Sequence, residues 1–158
     1  MTRRTPAIVT VIVMLCFALS PEGTAAQTMK SVVGTYTAVS VPAFGDHPRG
    51  TLILTPDGHY SIVLTRADLP KIAAGVRIKG TAEENKTIVE GSIAHTGTYT
   101  IDDGGKAITL HVETATFPNW NGTVQKRPLK VSSDTLSYTV TTPSAGGSPN
   151  EVVWRRVK

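Results

Sequence analysis

The sequence predicts an all-β fold, an eight-stranded antiparallel up-and-down β-barrel with one short helix between strands 3 and 4. Segments of alternating apolar and polar residues recur at short spacing along the chain. Turn-forming Gly, Pro, Asn and Asp residues separate consecutive segments, as they do between the strands of hairpins. With eight strands, a closed barrel is just wide enough for its own side chains or one small ligand.

Residues 1–26 have the pattern of a secretory signal peptide. Arg3 and Arg4 precede an apolar run over residues 7–19, and the small residues that end at Ala26 suit cleavage there. This run is shorter than the roughly 20 residues that a membrane-spanning helix needs, so a retained anchor is the less favoured alternative. We therefore expect a mature chain that starts at Gln27, is secreted or periplasmic, and has no stable membrane insertion.

The mature chain, 158 less 26 or 132 residues, has no cysteine, because Cys16 lies within the predicted signal peptide. Its length suits a single domain, residues 27–158, that buries roughly two thirds of its chain surface without disulfide bonds. Its 14 basic and 11 acidic residues give a net charge of +3. The basic residues are too dispersed for a typical nucleic-acid footprint. We expect a monomer that does not bind nucleic acid.

Eight segments have strand patterns rich in β-branched residues. The first ends at Pro42, which cannot donate a hydrogen bond to a neighbouring strand. The segments are residues 31–41, 51–55, 59–66, 92–101, 106–115, 123–131, 135–142 and 151–157.

The second and third strands flank the turn sequence Pro56-Asp57-Gly58. Proline first and glycine third predict a three-residue hairpin loop with a bulge. This loop places Leu54 opposite Tyr60 and Leu52 opposite Ile62. Because all four residues can be buried on one face, burial favours the same register.

A helix is predicted for Ala82–Glu90, after a loop over residues 67–79. The sequence Thr81-Ala82-Glu83-Glu84 is a capping box, and Gly91 is a suitable stop. The helix has few apolar residues. We therefore expect it to lie across an end or a side of the barrel and to form no core of its own.

The fourth and fifth strands are predicted to pair around a two-residue turn, Asp103-Gly104. This register places Tyr99 opposite Ile108 and turns His95 toward the core. It turns His111 and Glu113 away from the core.

The sixth and seventh strands are predicted to align Leu129 with Tyr138. Arg127 and Gln125 then lie on the apolar face of the sixth strand. A buried guanidinium is very costly without a partner, so we expect a carboxylate or backbone carbonyls beside Arg127. In the alternative, Pro128 introduces a bulge that turns Arg127 out to solvent.

Short motifs follow one another along essentially the whole mature chain: Val33-Gly34-Thr35-Tyr36, Val39-Ser40, Gly50-Thr51-Leu52, Thr55-Pro56-Asp57-Gly58-His59-Tyr60-Ser61, Gly80-Thr81-Ala82-Glu83-Glu84, Gly91 to Tyr99, His111-Val112-Glu113, Phe117-Pro118-Asn119-Trp120, Gly122-Thr123 and Val153-Trp154-Arg155-Arg156. In this order they resemble the bacterial and fungal lipocalin-like domain family. The resemblance implies a calycin-type eight-stranded barrel. Tyr36 replaces the tryptophan usual in the family, and Leu110 replaces a frequent second histidine.

An aromatic loop follows the fifth strand, where loops usually carry small polar residues. Such a loop can line the mouth of a pocket or pack as a lid on the barrel end. We expect a module that binds a small apolar or amphipathic molecule. A cyclase or isomerase that uses the cavity and a packed structural or interaction barrel remain as alternatives. The candidate ligand-binding residues are Trp120, Phe117, Tyr99, Tyr138, His95, Arg127 and Gln125.

We predict no catalytic residues, metal site or cofactor. The four histidines are scattered without the spacing of a zinc site. His111 and Glu113 could form an acid–base pair on one strand face, but a solvated pair is the favoured interpretation. The sequence also has no Gly-x-Ser-x-Gly motif for a nucleophilic serine.

Overall fold

A computed structural model of the protein describes residues 29–102 and 104–158. In this part of the chain, eight antiparallel strands form one closed barrel in chain order, which confirms the predicted fold class. The predicted signal peptide lies outside the described residues. The strands are β1 (Gly34–Ser40), β2 (Arg49–Leu54), β3 (His59–Thr65), β4 (Ser92–Ile101), β5 (Ala107–Ala115), β6 (Val124–Val131), β7 (Thr135–Val140) and β8 (Asn150–Arg156). A helix, α1 (Ala82–Glu90), and three 3-10 turns (Pro42–Phe44, Arg77–Lys79 and Pro118–Trp120) lie between them.

The first strand begins three residues later than predicted, because residues 29–32 are helical. Val32 in this turn is fully buried in the core, and its carbonyl accepts a hydrogen bond from the Tyr36 hydroxyl at 2.6 Å. The Arg156 guanidinium from the last strand lies 4.7 Å from the centre of the Tyr36 ring. The chain thus covers the end of the barrel at which β1 starts.

The hairpin between β2 and β3 has the predicted register. Leu54 pairs with Tyr60 and Leu52 with Ile62, and all four side chains are buried. Gly58 has a φ of +84°, as the last position of this loop requires.

Helix α1 has the predicted bounds and the predicted capping box. The Thr81 hydroxyl accepts from the Glu84 amide at 3.2 Å, and the Glu84 carboxylate accepts from the Thr81 amide at 2.7 Å. None of its residues is buried. It lies beside one end of the barrel, where Val89 and Glu90 line the cavity described below.

The predicted register of β4 and β5 is wrong by two residues. Tyr99 pairs with Leu110 and not with Ile108. The connection is longer than the predicted two-residue turn, because the backbone hydrogen bond that closes it runs from the Asp102 amide to the Ala107 carbonyl. The Asp102 carboxylate also accepts from the Ala107 amide at 3.0 Å. A shift of two residues preserves the side-chain alternation. The predicted faces are therefore confirmed, with His95 buried.

A β-bulge then interrupts the pairing of these two strands. Thr96 pairs with Thr114, whereas the next residue, Gly97, pairs with Val112. As a result, His95 lies opposite Ala115 and not opposite Val112 as predicted. A bulge bends its strand and increases the local twist, and this one lies just before the aromatic loop that leaves β5.

Side chains fill one half of the barrel. The two hairpin connections before β3 and β5 lie at this end, and the β6–β7 register there is as predicted, with Leu129 paired to Tyr138. The large side chains packed there are fully or almost fully buried: Tyr36, Leu54, Tyr99, Ile108, Leu110, Leu136 and Trp154. The opposite half, where β3, β5 and β7 end, is hollow.

Candidate functional site

A cavity of about 620 Å³ occupies the hollow half of the barrel and opens to solvent. Strand ends, the C-terminus of α1, and the turns Pro42–Phe44 and Pro118–Trp120 surround it. Its volume lies within the roughly 300–1,000 Å³ that is typical of small-molecule sites. Apolar side chains form much of the wall: Val41, Phe44, Leu64, Val89, Ile93, Phe117, Val140 and Val152.

Two aromatic residues from the loop after β5 form one side of the cavity. Pro118 begins a 3-10 turn there, and its fixed φ suits that position. The turn brings Trp120 edge-to-face with Phe117, with ring centres 5.8 Å apart. Trp120 also packs edge-to-face against His95 at 5.3 Å. The indole is therefore fixed between the rim of the cavity and its interior.

Arg127 projects from β6 into the interior and is only 2% exposed, so the prediction that it points inward is confirmed. Its Nη2 donates to the side-chain oxygen of Gln125 at 2.6 Å. Its guanidinium carbon lies 4.8 Å from the centre of the Tyr138 ring and 5.9 Å from that of Trp120. Its Nε is buried without a hydrogen-bond partner among the described residues.

The predicted partner of Arg127, a carboxylate or backbone carbonyls, is not found among the described residues. A side-chain amide and two aromatic rings take that place. An amide and ring faces compensate a buried cation less fully than a carboxylate would, because none carries a full negative charge. The inner wall of the cavity therefore carries an uncompensated positive charge.

The charges at the rim differ from this inner charge. Arg66 lines the cavity, but its Nη2 lies 2.8 Å from the Asp68 carboxylate and its side chain is partly exposed. Glu90, at the end of α1, also lines the rim, and the Lys86 ammonium lies 3.5 Å from its carboxylate. Of the two arginines that line the cavity in the described chain, Arg127 is the one without a carboxylate partner.

His95 is a buried neutral group beside this charge. Its Nδ1 lies 2.9 Å from the Tyr60 hydroxyl. Burial, and secondly the charge of Arg127, lowers the pKa of His95 to about 3, so the imidazole is neutral near pH 7. Burial also raises the pKa values of Tyr60 and Tyr138, although Arg127 opposes both shifts. Both phenols therefore remain protonated near neutral pH.

Five of the seven predicted ligand-binding residues line one cavity: Trp120, Phe117, His95, Arg127 and Tyr138. Gln125 lies behind this surface and orients Arg127 through their hydrogen bond. Tyr99 does not line the cavity. It is packed in the filled half of the barrel, where its hydroxyl donates to the Thr55 carbonyl at 2.8 Å.

Sequence reasoning missed several residues of the wall. Phe44 lies in a 3-10 turn that follows β1, and nothing in its local sequence indicates which end of the barrel the turn covers. Val140 and Val152 could have been found, because their strand alternation places them on the same inner face as Tyr138.

The other candidate chemistry lies outside the cavity. His111 and Glu113 are both exposed, and neither lines it. Among the described residues, no three His, Cys, Asp or Glu side chains are grouped so that they could hold a metal ion. None of the described helices combines the length and apolar character needed to cross a bilayer.

A family model described as a lipocalin-like domain matches residues 27–157. No curated protein matches the chain at a significant level.

Proposed function

The chain belongs to the lipocalin-like domain family, and from this premise we propose that it binds a small, mostly apolar molecule in the hollow half of its barrel. The cavity of about 620 Å³ carries this proposal. Mostly apolar walls with a few convergent polar groups are typical of sites for small molecules. In the alternative, a structural or interaction barrel, side chains would fill the interior and no cavity of this size would be expected.

The binding proposal can be tested with N-phenyl-1-naphthylamine, a neutral, apolar probe that fluoresces more strongly away from water. We expect saturable binding with one site per chain and a change in tryptophan emission as the probe enters. Trp120, at the rim, should produce this change, whereas Trp154 is fully buried in the filled half.

The matched variant is Trp120→Phe. It should still bind the probe but lose most of the change in tryptophan emission, because Trp154 is then the remaining tryptophan. Lack of saturable binding to the wild-type protein would contradict the proposal. Native mass spectrometry can also show a co-purified compound; chemical conversion of that compound by the protein would instead favour the cyclase or isomerase alternative.

We also propose that the protein is exported and that residues 1–26 are removed. The charged start and short apolar run of these residues support the proposal, and the family match begins at residue 27. Amino-terminal sequencing of the protein from its native host should find Gln27, or a residue close to it, at the start. Met1 retained on membrane-bound protein would be the contrary result.

A further inference from the structure

The uncompensated charge of Arg127 indicates which class of molecule the cavity takes. We propose that the ligand is a monocarboxylic acid with an apolar body, and that Arg127 binds its carboxylate at the inner end of the cavity. This inference rests on the proposed binding function, since it concerns the same cavity.

Burial makes the charge of Arg127 costly. The residue is 2% exposed, lines the cavity, and has no ion pair among the described residues. Removal of a cation from water is expensive unless an opposite charge and hydrogen bonds compensate it. A ligand that brings a negative charge to Arg127 would supply the missing compensation, so the cavity should bind an anion in preference to a neutral analogue.

The surroundings of the guanidinium favour a carboxylate. Tyr138 and Trp120 turn their ring faces toward its central carbon, and Gln125 accepts a hydrogen bond from Nη2. These contacts orient the guanidinium but do not satisfy all of its donors, because Nε has no hydrogen-bond partner among the described residues. A carboxylate can accept two parallel hydrogen bonds from a guanidinium.

The charged groups around the cavity favour a ligand with a single negative charge. His95 beside Arg127 is neutral near pH 7, and Asp68 compensates Arg66 at the rim. Glu90 at the rim is likewise paired, with the Lys86 ammonium 3.5 Å from its carboxylate, so neither of these two rim pairs leaves a cation free for a second negative charge. A doubly charged phosphate would therefore keep one uncompensated charge within apolar walls.

The apolar part of the acid would extend from Arg127 toward the mouth. The side chains along this path are apolar or aromatic, among them Leu64, Phe117, Val140 and Val152. Decanoate and decan-1-ol test the idea as a pair, because they share the same chain length and differ in the charged group.

The experiment measures displacement of N-phenyl-1-naphthylamine from the mature protein by each compound at pH 7.5. Hydrogen bonds to a charged group are strong enough that decanoate should bind the wild-type protein at least about tenfold more tightly than decan-1-ol. Arg127→Met should reduce this preference to less than about threefold while the affinity for decan-1-ol is kept. Lys126→Met, which removes an exposed positive charge beside Arg127 on β6 and outside the cavity lining, is the matched control and should keep the full preference.

Arg127→Lys provides a second variant that keeps the charge but loses the planar fork. We expect it to retain a reduced preference for decanoate. If Arg127→Met fails to fold, the comparison of acid and alcohol on the wild-type protein and on Arg127→Lys still decides the question.

Equal affinities of decanoate and decan-1-ol for the wild-type protein would overturn the carboxylate assignment and leave the binding proposal intact, provided that the probe binds. A preference that persists in Arg127→Met would overturn the role of Arg127. If calorimetry shows that neither the probe nor either compound binds the wild-type protein, the binding proposal and this inference both fail.

Discussion

Arg127 and Arg156 both stack on tyrosine rings, but their hydrogen-bond partners differ. Arg156 donates to the carbonyls of Val33 and Ser31, each at 2.6 Å. It thereby satisfies two backbone acceptors at the covered end of the barrel while stacking on Tyr36. Arg127 has an amide oxygen and ring faces, with no carboxylate among the described residues. The first arginine stabilises the fold, whereas the second is costly to bury without a bound anion.

Replacement of Arg127 by Met should therefore not destabilise the ligand-free protein. We expect the free energy of unfolding in urea to stay the same or rise by about 1 kcal/mol, because the lost hydrogen bond and ring contacts are offset by the relief of a buried charge.

Arg156→Met is the control for this variant. It should lose about 1–2 kcal/mol, because the carbonyl of the half-buried Val33 loses its donor and the Tyr36 ring loses its stacked guanidinium. A loss of about 3 kcal/mol in Arg127→Met would mean that Arg127 has an anionic partner within the chain, and it would argue against a site for a ligand carboxylate.

His95 should make the stability of the protein depend on acidity. Its pKa is about 3 in the folded protein, against about 6.5 in an unfolded chain, because burial and Arg127 disfavour the charged imidazole. Between these values the unfolded state binds the extra proton, so stability is lost as the pH falls from 6.5 toward 3.

The measurement compares urea unfolding at pH 7 and pH 4.5 for the wild type and for His95→Gln. Over this interval the wild type should lose about 2–3 kcal/mol more than the variant, which has no imidazole at this position. His111→Gln, at an exposed position, should behave like the wild type. Equal losses in the wild type and His95→Gln would show that the imidazole is not buried in its neutral form.

At the level of the strands, the bulge between β4 and β5 positions the aromatic loop. Gly97 makes the bulge possible, because a Cβ atom there would lie 2.0 Å from the backbone oxygen of His111. The bulge leads into the end of β5, from which Phe117 and Trp120 reach the cavity.

Gly97→Ala should therefore destabilise the barrel by roughly 2–4 kcal/mol, because the clash is with backbone and neither strand can move without losing ladder hydrogen bonds. Gly104→Ala is the control. Among the described residues other than its chain neighbours, the nearest atom to its added Cβ would be Lys106 Cγ at 3.7 Å, so we expect a change within about 0.5 kcal/mol. Thermal or urea unfolding measures both, and a stable Gly97→Ala protein would mean that the bulge can relax.

The barrel has a filled half and a hollow half. A larger side chain should therefore affect ligand binding in the hollow half and stability in the filled half. Val140 lines the cavity, whereas Leu136 on the same strand is fully buried in the filled half. Val140→Phe should leave the free energy of unfolding nearly unchanged and weaken binding of N-phenyl-1-naphthylamine by about tenfold, since the new ring takes ligand space.

Leu136→Phe should show the reverse pattern. Overpacking typically costs about 1–3 kcal/mol, and the probe should bind folded protein as before. Urea unfolding and probe titration of both variants provide the comparison. A Val140→Phe protein that is as destabilised as Leu136→Phe and still binds the probe normally would mean that the cavity is not the binding site.

Local sequence patterns were sufficient to predict the eight strands, their order and most of the faces of their side chains. Alternation of residue type, together with the hairpin turns, predicted that His95 faces inward and His111 outward, and the structure agrees. For Arg127 the sequence left a bulge at Pro128 as an alternative, and only the structure shows that the side chain is buried. The capping box likewise determined the bounds of α1, because its hydrogen bonds join residues three positions apart.

The pairing of Tyr99 with Leu110, and the position of Tyr99 away from the cavity, depend on contacts between distant parts of the chain. The alternation of side chains repeats every two residues, so a two-residue shift leaves every face unchanged and the sequence pattern cannot detect it. The partners of Arg127 were also undetermined, because Gln125 shares its strand but Trp120 and Tyr138 reach it from other parts of the barrel. Which half of the barrel is hollow depends on the total volume of the side chains that all eight strands contribute to each half. A local sequence pattern does not contain this information.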